Sequence, residues 1–354
     1  MGQPEAIVVD DPAELTSDWL TDALNSGGHE LVVSSVDAER IGTGQMGATY
    51  RLHLTYEGDA GPSTLVAKLG AGDAATRTMV APGYRAEVGF YTEIAPGLEV
   101  RTPRCWYGAI VPDGANFTLL LDDVRDALPG VQADGCSVAQ ARAAIANLVE
   151  LHVPRWGDPA LHDFEFLMQP DQAMADLMGQ ATVSATEEFV GRYAAQLGEE
   201  CVATLREVAP HVAAWQVTRL DPFTVIHGDY RLDNLLFSPA EAIAVDWQTA
   251  AVGPPLRDVA YFLGTCVDPE QRRATEKDLV AEYHEAIVAR GVSDYDLDRC
   301  WDDYRLGHLQ APMITTLGCI YATGERSDRS DAMFLAMARR SSEAIRDLRS
   351  LELL

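Results

Sequence analysis

The sequence predicts an α+β chain in two lobes, a small antiparallel-sheet lobe followed by a larger, mostly helical one. Three observations predict it. Short apolar–polar alternating runs separated by Gly- and Pro-containing turns fill the first third. After Gly135 the period becomes helical, as in Val138, Ala141, Ile145, Leu148 and His152. Between them, Leu121-Asp122-Asp123-Val124 leaves the sheet. The expected boundaries are a sheet lobe over 1–121, a hinge over 122–125 and a helical lobe over 126–354.

In chain order, Thr16-Ser17-Asp18 offers caps for a short helix that Gly27-Gly28 ends. Val32, Val33 and Val36 start a strand. It leads through Ile41 into Gly42-Thr43-Gly44-Gln45-Met46-Gly47, and alternation resumes at Thr49–Thr55. Gly42, Gly44 and Gly47 would let backbone N–H groups approach phosphate without a Cβ in the way. The turn opens a strand rather than a helix, so it is not a dinucleotide fingerprint.

After a turn at Glu57–Pro62, Thr64–Gly70 is a third strand. It carries Lys68 on one face, and Leu65, Ala67 and Leu69 on the other. A lysine in so apolar a strand needs a partner. A helix expected to start near Pro82 supplies Glu87, on one face with Tyr91 and Ile94. Pro103–Tyr107 and Phe117–Leu121 read as two more strands. At their exit, backbone groups around Asp122 would be placed to hydrogen-bond an adenine.

In the helical part, Ser137-Val138-Ala139-Gln140 is a capping box. Residues 154–220 mix acids (Asp163, Glu165, Asp176, Glu187, Glu188) with apolar groups (Phe164, Phe166, Leu167, Met168, Leu177, Met178). Gly253-Pro254-Pro255 turns into a helix carrying Asp258, which would brace the preceding loop. Further helices run through Glu282–Ile287, Leu297–Leu309 and Ala332–Leu348.

The net charge of -27 over 354 residues argues against a nucleic-acid partner, since such binding neutralises phosphates with Lys and Arg. No apolar run reaches the roughly 18 residues of a membrane span, so no membrane partner is expected. The first residues lack the basic and apolar regions of a secretory signal. The six cysteines form no C-x-x-C pair and fit a reduced, cytoplasmic setting.

The chemistry concentrates in Val225–Phe237 and Ala242–Trp247. Apolar strands there end on Asp229, Asn234 and Asp246. Phosphoryl transfer needs positioning and charge neutralisation more than covalent chemistry. Asp229 is placed to take the proton of an accepting hydroxyl, and Asn234 and Asp246 are hard oxygen ligands suited to magnesium. The step from Asp229 to Asn234 is that of a kinase catalytic loop. His227 would brace the loop. Arg231 would offset charge near Asp229 or touch the transferred phosphate. Asp233 reads equally as structural or substrate-facing.

His227-Gly228-Asp229-Tyr230-Arg231-Leu232-Asp233-Asn234 with Asp246-Trp247 resembles the aminoglycoside phosphotransferase/choline kinase superfamily. Leu120–Asp123 and Pro255–Leu263 add to the match. Asp246-Trp247-Gln248 and Tyr261-Phe262-Leu263 are similar to the ecdysteroid kinase-like and choline kinase-like branches. The resemblance spans roughly residues 35–310. It implies a protein-kinase-like two-lobed fold, ATP (or GTP) as donor, and magnesium on Asn234 and Asp246. It also implies Asp229 as base, and Lys68 on the phosphates paired with Glu87. Gly228 stands where protein kinases usually have Arg, Trp247 where they have Phe, and a long activation segment is missing. All three favour a small hydroxylated substrate over a protein. The alternative is a catalytically quiet nucleotide-binding pseudokinase. For the acceptor, an aminoglycoside or amino sugar stands against a choline-like or apolar, steroid-like alcohol. Trp301, Tyr304, Trp247 and Tyr261 are candidates for a choline cage.

Overall fold

The computed structural model describes residues 8–42, 47–58, 61–239, 241–321 and 326–354. Gly44 of the glycine turn lies outside the described residues, as do Asp59 and Ala60 of the following turn. The chain forms two compact units. The first comprises residues 1–97, 102–126 and 246–249, and the second 98–101, 127–245 and 250–354.

The first unit begins with α1 (Ser17–Ser26), whose N-cap Thr16 accepts from Trp19 N. It continues with β1 (Val33–Ile41), β2 (Gly47–Tyr56), β3 (Thr64–Gly70), α2 (Ala74–Gly89), β4 (Cys105–Ile110) and β5 (Phe117–Asp122). The strands form one antiparallel sheet in the order β1-β2-β3-β5-β4. Pleating sends Leu65, Ala67 and Leu69 into a core with Leu20, Leu24, Leu52 and Leu120. Lys68 is thereby left on the opposite face, beside Thr49 of β2 and Leu119 of β5.

Helix α2 corrects the expected start near Pro82. Asp73 caps the helix by accepting from Thr76 N, and Pro82 stands inside it. A Pro marks a helix start only where no better cap precedes it, and Asp73 is such a cap. The helix passes into a wider π turn over Phe90–Ile94, and Glu87, Tyr91 and Ile94 are all buried. The strand expected from Pro103 begins at Cys105 and runs on to Ile110.

The second unit holds β6 (Leu128–Pro129), α3 (Val138–His152), α4 (Gln172–Leu197), α5 (Glu199–Val208), α6 (Val212–Gln216), β7 (Thr224–Ile226), β8 (Leu235–Phe237), β9 (Ala242–Ala244) and β10 (Ala251–Gly253). Then come α7 (Leu256–Cys266), α8 (Pro269–Ala289), α9 (Leu297–Gly307), α10 (Gln310–Tyr321) and α11 (Asp328–Leu348). Ser137 and Gln140 form the capping box of α3. His152 is buried and hydrogen-bonded to Tyr283, a packed histidine. Two small ladders, β7 with β10 and β6-β8-β9, carry the loops that matter for chemistry. Helix α7 is buried along its whole length, because it packs on α9 and α11 and also touches α3, α8 and α10. Helix α10, Gln310–Tyr321, has no counterpart in the sequence expectations. Among the described residues, no helix is long and apolar enough to cross a membrane.

Candidate active site

In the first unit, the Lys68 ammonium meets Glu87 Oε1 at 2.7 Å and Asp246 Oδ1 at 3.0 Å. The Glu87 side chain is only 1% exposed, that of Lys68 13% and that of Asp246 42%. Burial alone would pull the Lys68 pKa down, but Asp246 and Glu87 more than offset it, so the ammonium is held charged. Burial pushes the Glu87 carboxyl up, against the opposing pull of Lys68. Gln248 Nε2 donates to Glu87 Oε2 at 3.2 Å, so both carboxylate oxygens are engaged. Gly47 faces this site across the sheet. A Cβ there would lie 3.1 Å from Lys68 Cε, so a side chain would make the lysine stem give by a few tenths of an ångström. Asp246 adopts a left-handed backbone at φ 65°, uncommon outside glycine, which Asp tolerates better than bulkier residues. The neighbouring Trp247 lies flat on Phe90 at 3.6 Å and donates to Thr102 Oγ1.

In the second unit, Asp229 follows β7 in a loop held at its backbone. Asp258, near the start of α7, accepts His227 N at 2.6 Å and Gly228 N at 3.0 Å. This is the bracing expected of it. His227 ties the loop to the strand that leads to Asp246, through Nε2 and Val245 O at 3.1 Å, and its Nδ1 accepts Asp229 N. Gly228 sits at φ 82°, where a side chain would be strained. That explains glycine at this position in backbone terms.

The Asp229 carboxylate accepts three hydrogen bonds. Tyr261 hydroxyl donates to Oδ1 at 2.7 Å; Arg231 Nε and Asn234 Nδ2 donate to Oδ2 at 3.1 and 3.0 Å. Asn234 Nδ2 also reaches Asp229 O at 2.9 Å. The amide nitrogen is therefore committed to Asp229, and Oδ1 is the atom of Asn234 suited to a cation. Arg231 Nη1 bonds Asp233 Oδ2 at 2.8 Å, and burial, which would lower its pKa, is outweighed by Asp229 and Asp233. Asp233 Oδ1 accepts Gln132 N, giving it a structural contact.

The structure thus brings Lys68, Glu87 and Asp246 together in one unit, and Asp229, Arg231 and Asn234 in the other. Gly42 follows β1 and Gly47 opens β2. Asp122 ends β5, where its Oδ1 accepts Trp106 Nε1 at 2.6 Å and its N donates to Arg104 O. The roles of two participants do not emerge from the sequence. Tyr261 is legible there as a cage candidate and in the Tyr261-Phe262-Leu263 resemblance, not as a partner of Asp229, although its i, i+3 spacing from Asp258 puts both on one face of α7. Gln132 gave no signal. It is fully buried, accepts Leu232 N and donates to Thr265 O.

Comparison with known proteins adds to this. The ecdysteroid kinase-like family matches residues 140–291, which include the whole Asp229 loop. A choline kinase from Cryptosporidium parvum Iowa II superposes with a TM-score of 0.57 at 10% identity, covering 90% of this chain and 91% of that one. The GDP complex of an aminoglycoside 2'-phosphotransferase-IIIa gives 0.55 at 17% identity, over 92% and 98% of the two chains. At such identities these likenesses establish the fold. A 41-residue stretch is 56% identical to acyl-CoA dehydrogenase family member 10 of Mus musculus, spanning 11% of this chain and only 4% of that protein's length. The chain is thus similar to the ecdysteroid kinase-like family over residues 140–291, and it shares its fold with these two kinases.

Proposed function

We propose that the protein transfers the γ-phosphoryl group of ATP, or alternatively GTP, to a hydroxyl of a small molecule. The observation that carries the reading is the Asp229 carboxylate, fixed by three donors, with Asn234 bound to it through nitrogen. Asp229 takes the proton of the acceptor hydroxyl. Lys68, kept charged by Glu87, neutralises nucleotide phosphates. Gly42, Gly44 and Gly47 cover those phosphates, and backbone groups around Asp122 hydrogen-bond the base. Asn234 and Asp246 are the proposed magnesium ligands. Both offer hard oxygens, and magnesium is usually held by only one or two carboxylates, with phosphates and waters completing its shell. When bound, the ion would neutralise charge that develops on the phosphates. The cytoplasm remains the proposed location.

Among acceptors, the surroundings of Tyr261 favour an apolar alcohol. It clusters with Ala311, Met337, Ile314, Met333 and Phe334. Glu187 and Glu188, candidates for meeting ammonium groups, are instead paired with Arg206 and Arg192. A choline cage is disfavoured, since Trp247 is stacked on Phe90 and the buried Tyr304 hydroxyl donates to Glu276. The test is magnesium-dependent ATP turnover against a panel of hydroxyl compounds, with wild type and Asp229→Ala. Turnover lost in the variant supports the reading. Nucleotide binding without transfer to any acceptor favours the pseudokinase, and no nucleotide binding defeats both.

A further inference from the structure

We propose that Tyr261 is a positioning residue for the base, and that Asp229 Oδ1 is the atom that receives the acceptor's proton. The inference rests on Asp229 being the base. A carboxylate oxygen accepts along two in-plane directions. Oδ2 has both filled, by Arg231 Nε and Asn234 Nδ2. Oδ1 accepts the Tyr261 hydroxyl at 2.7 Å, its one hydrogen bond among the described residues, and its second direction is thereby assigned to the substrate. As the acceptor oxygen bonds the γ-phosphorus, its proton passes to Oδ1 and the bond from that phosphorus to the nucleoside diphosphate breaks.

Tyr261 is built to hold that oxygen still. Its ring is fully buried against Ala311 and Met337, and its hydroxyl would be costly to bury without a partner. It sits one helical turn beyond Asp258, on a helix buried throughout. The same face of α7 therefore fixes the loop backbone through Asp258 and the base through Tyr261. A site on a rigid helix is held more tightly than one on a loop. Arg231 and Asn234 lie on the same short loop as Asp229, so Tyr261 ties the carboxylate to a framework outside it.

The test uses Mg·ATP with water as acceptor, and needs no knowledge of the substrate. Tyr261→Phe should lower kcat for hydrolysis about tenfold or more, a typical effect of lost alignment, with the Kd for ATP unchanged within about twofold. In an Asp229→Ala background the same change should cost nothing further. An equal loss in both backgrounds, or a parallel loss of ATP affinity, overturns the positioning role. If Asp229→Ala hydrolyses ATP like the wild type, it is the base assignment that fails. A second measurement does not depend on turnover. Nuclear magnetic resonance of the wild type should show a slowly exchanging Tyr261 hydroxyl proton, lost in Asp229→Ala while the ring signals stay in place. Its absence from the wild type overturns the proposal.

Discussion

The surroundings of Lys68 and of Asp229 are wired in opposite senses. Lys68 is a cation held by two carboxylates, one of them nearly inaccessible to water. Asp229 is held by three donors, of which two are neutral and the third, Arg231, is shared with another carboxylate. In the first case the fold depends on the pair, because removing one partner strands a buried charge. In the second, two of the three donors keep other partners when the carboxylate is gone. Arg231 still has Asp233, and Asn234 still has the main-chain oxygen of residue 229. The candidate site thus holds a structural ion pair in one unit and a replaceable side chain in the other.

The largest effect that would sharpen this contrast is functional and local. Asp229→Ala should reduce phosphoryl transfer by about 10²–10⁴-fold, the usual worth of a positioned general base. Its stability should fall by only about 1–3 kcal/mol, the cost of leaving the buried Tyr261 hydroxyl without its acceptor. A variant that unfolds would show Asp229 to be as structural as Lys68. The converse test is Lys68→Met, which should cost about 3–5 kcal/mol in urea unfolding, because Glu87 is left uncompensated. Adding Glu87→Gln should restore most of that loss without restoring nucleotide affinity. If the double variant is no more stable than the single one, the pair does not account for the cost.

A smaller effect tests the framework beneath Asp229. Asp258→Ala leaves the buried N–H groups of His227 and Gly228 without their acceptor, at about 2–3 kcal/mol. It should lower both stability and turnover. Turnover at the wild-type level, read from steady-state kinetics at a temperature where the variant is folded, would show that the loop holds its shape without α7.

The residues that fix the contrast differ in how they are written in the sequence. A lone lysine on a strand of alternating burial announces that it needs a partner, and the helix after it offers Glu87. The Asp229–Asn234 spacing is local, and Asp258 is legible from the turn and helix start that carry it, although its contact reaches 31 residues back along the chain. Tyr261 and Gln132 are different. Their contacts to Asp229 and Leu232 depend on how α7 and the segment after β6 pack, which no local period records. Helix α2 was misjudged for a similar reason, since Pro82 dominates the local pattern while the cap that starts the helix lies earlier at Asp73. Helix α10 was missed because it is apolar almost all round and gives little amphipathic signal.

The smallest prediction concerns a buried ionisable group wired in neither of these senses. The His308 ring lies against Tyr304 and Gly264 of α7, and neither of its nitrogens has a hydrogen-bond partner among the described residues. Burial, and then the nearby Arg272, hold its pKa well below the ordinary 6.5. Above that value the ring is neutral in both folded and unfolded chains, and it has no effect on stability. Below it, the unfolded chain takes up a proton that the folded chain refuses. The unfolded state then binds more protons, so stability must fall as pH falls. The slope is at most about 1.4 kcal/mol per pH unit, or about 2 kcal/mol by pH 5. His308→Leu should flatten the dependence of unfolding free energy on pH by that amount between pH 6.5 and 5, and leave it unchanged above pH 7. An identical slope in the two proteins would mean that the folded chain can protonate His308, and that the wall behind α7 yields more readily than the packing around Asp258 and Tyr261 requires.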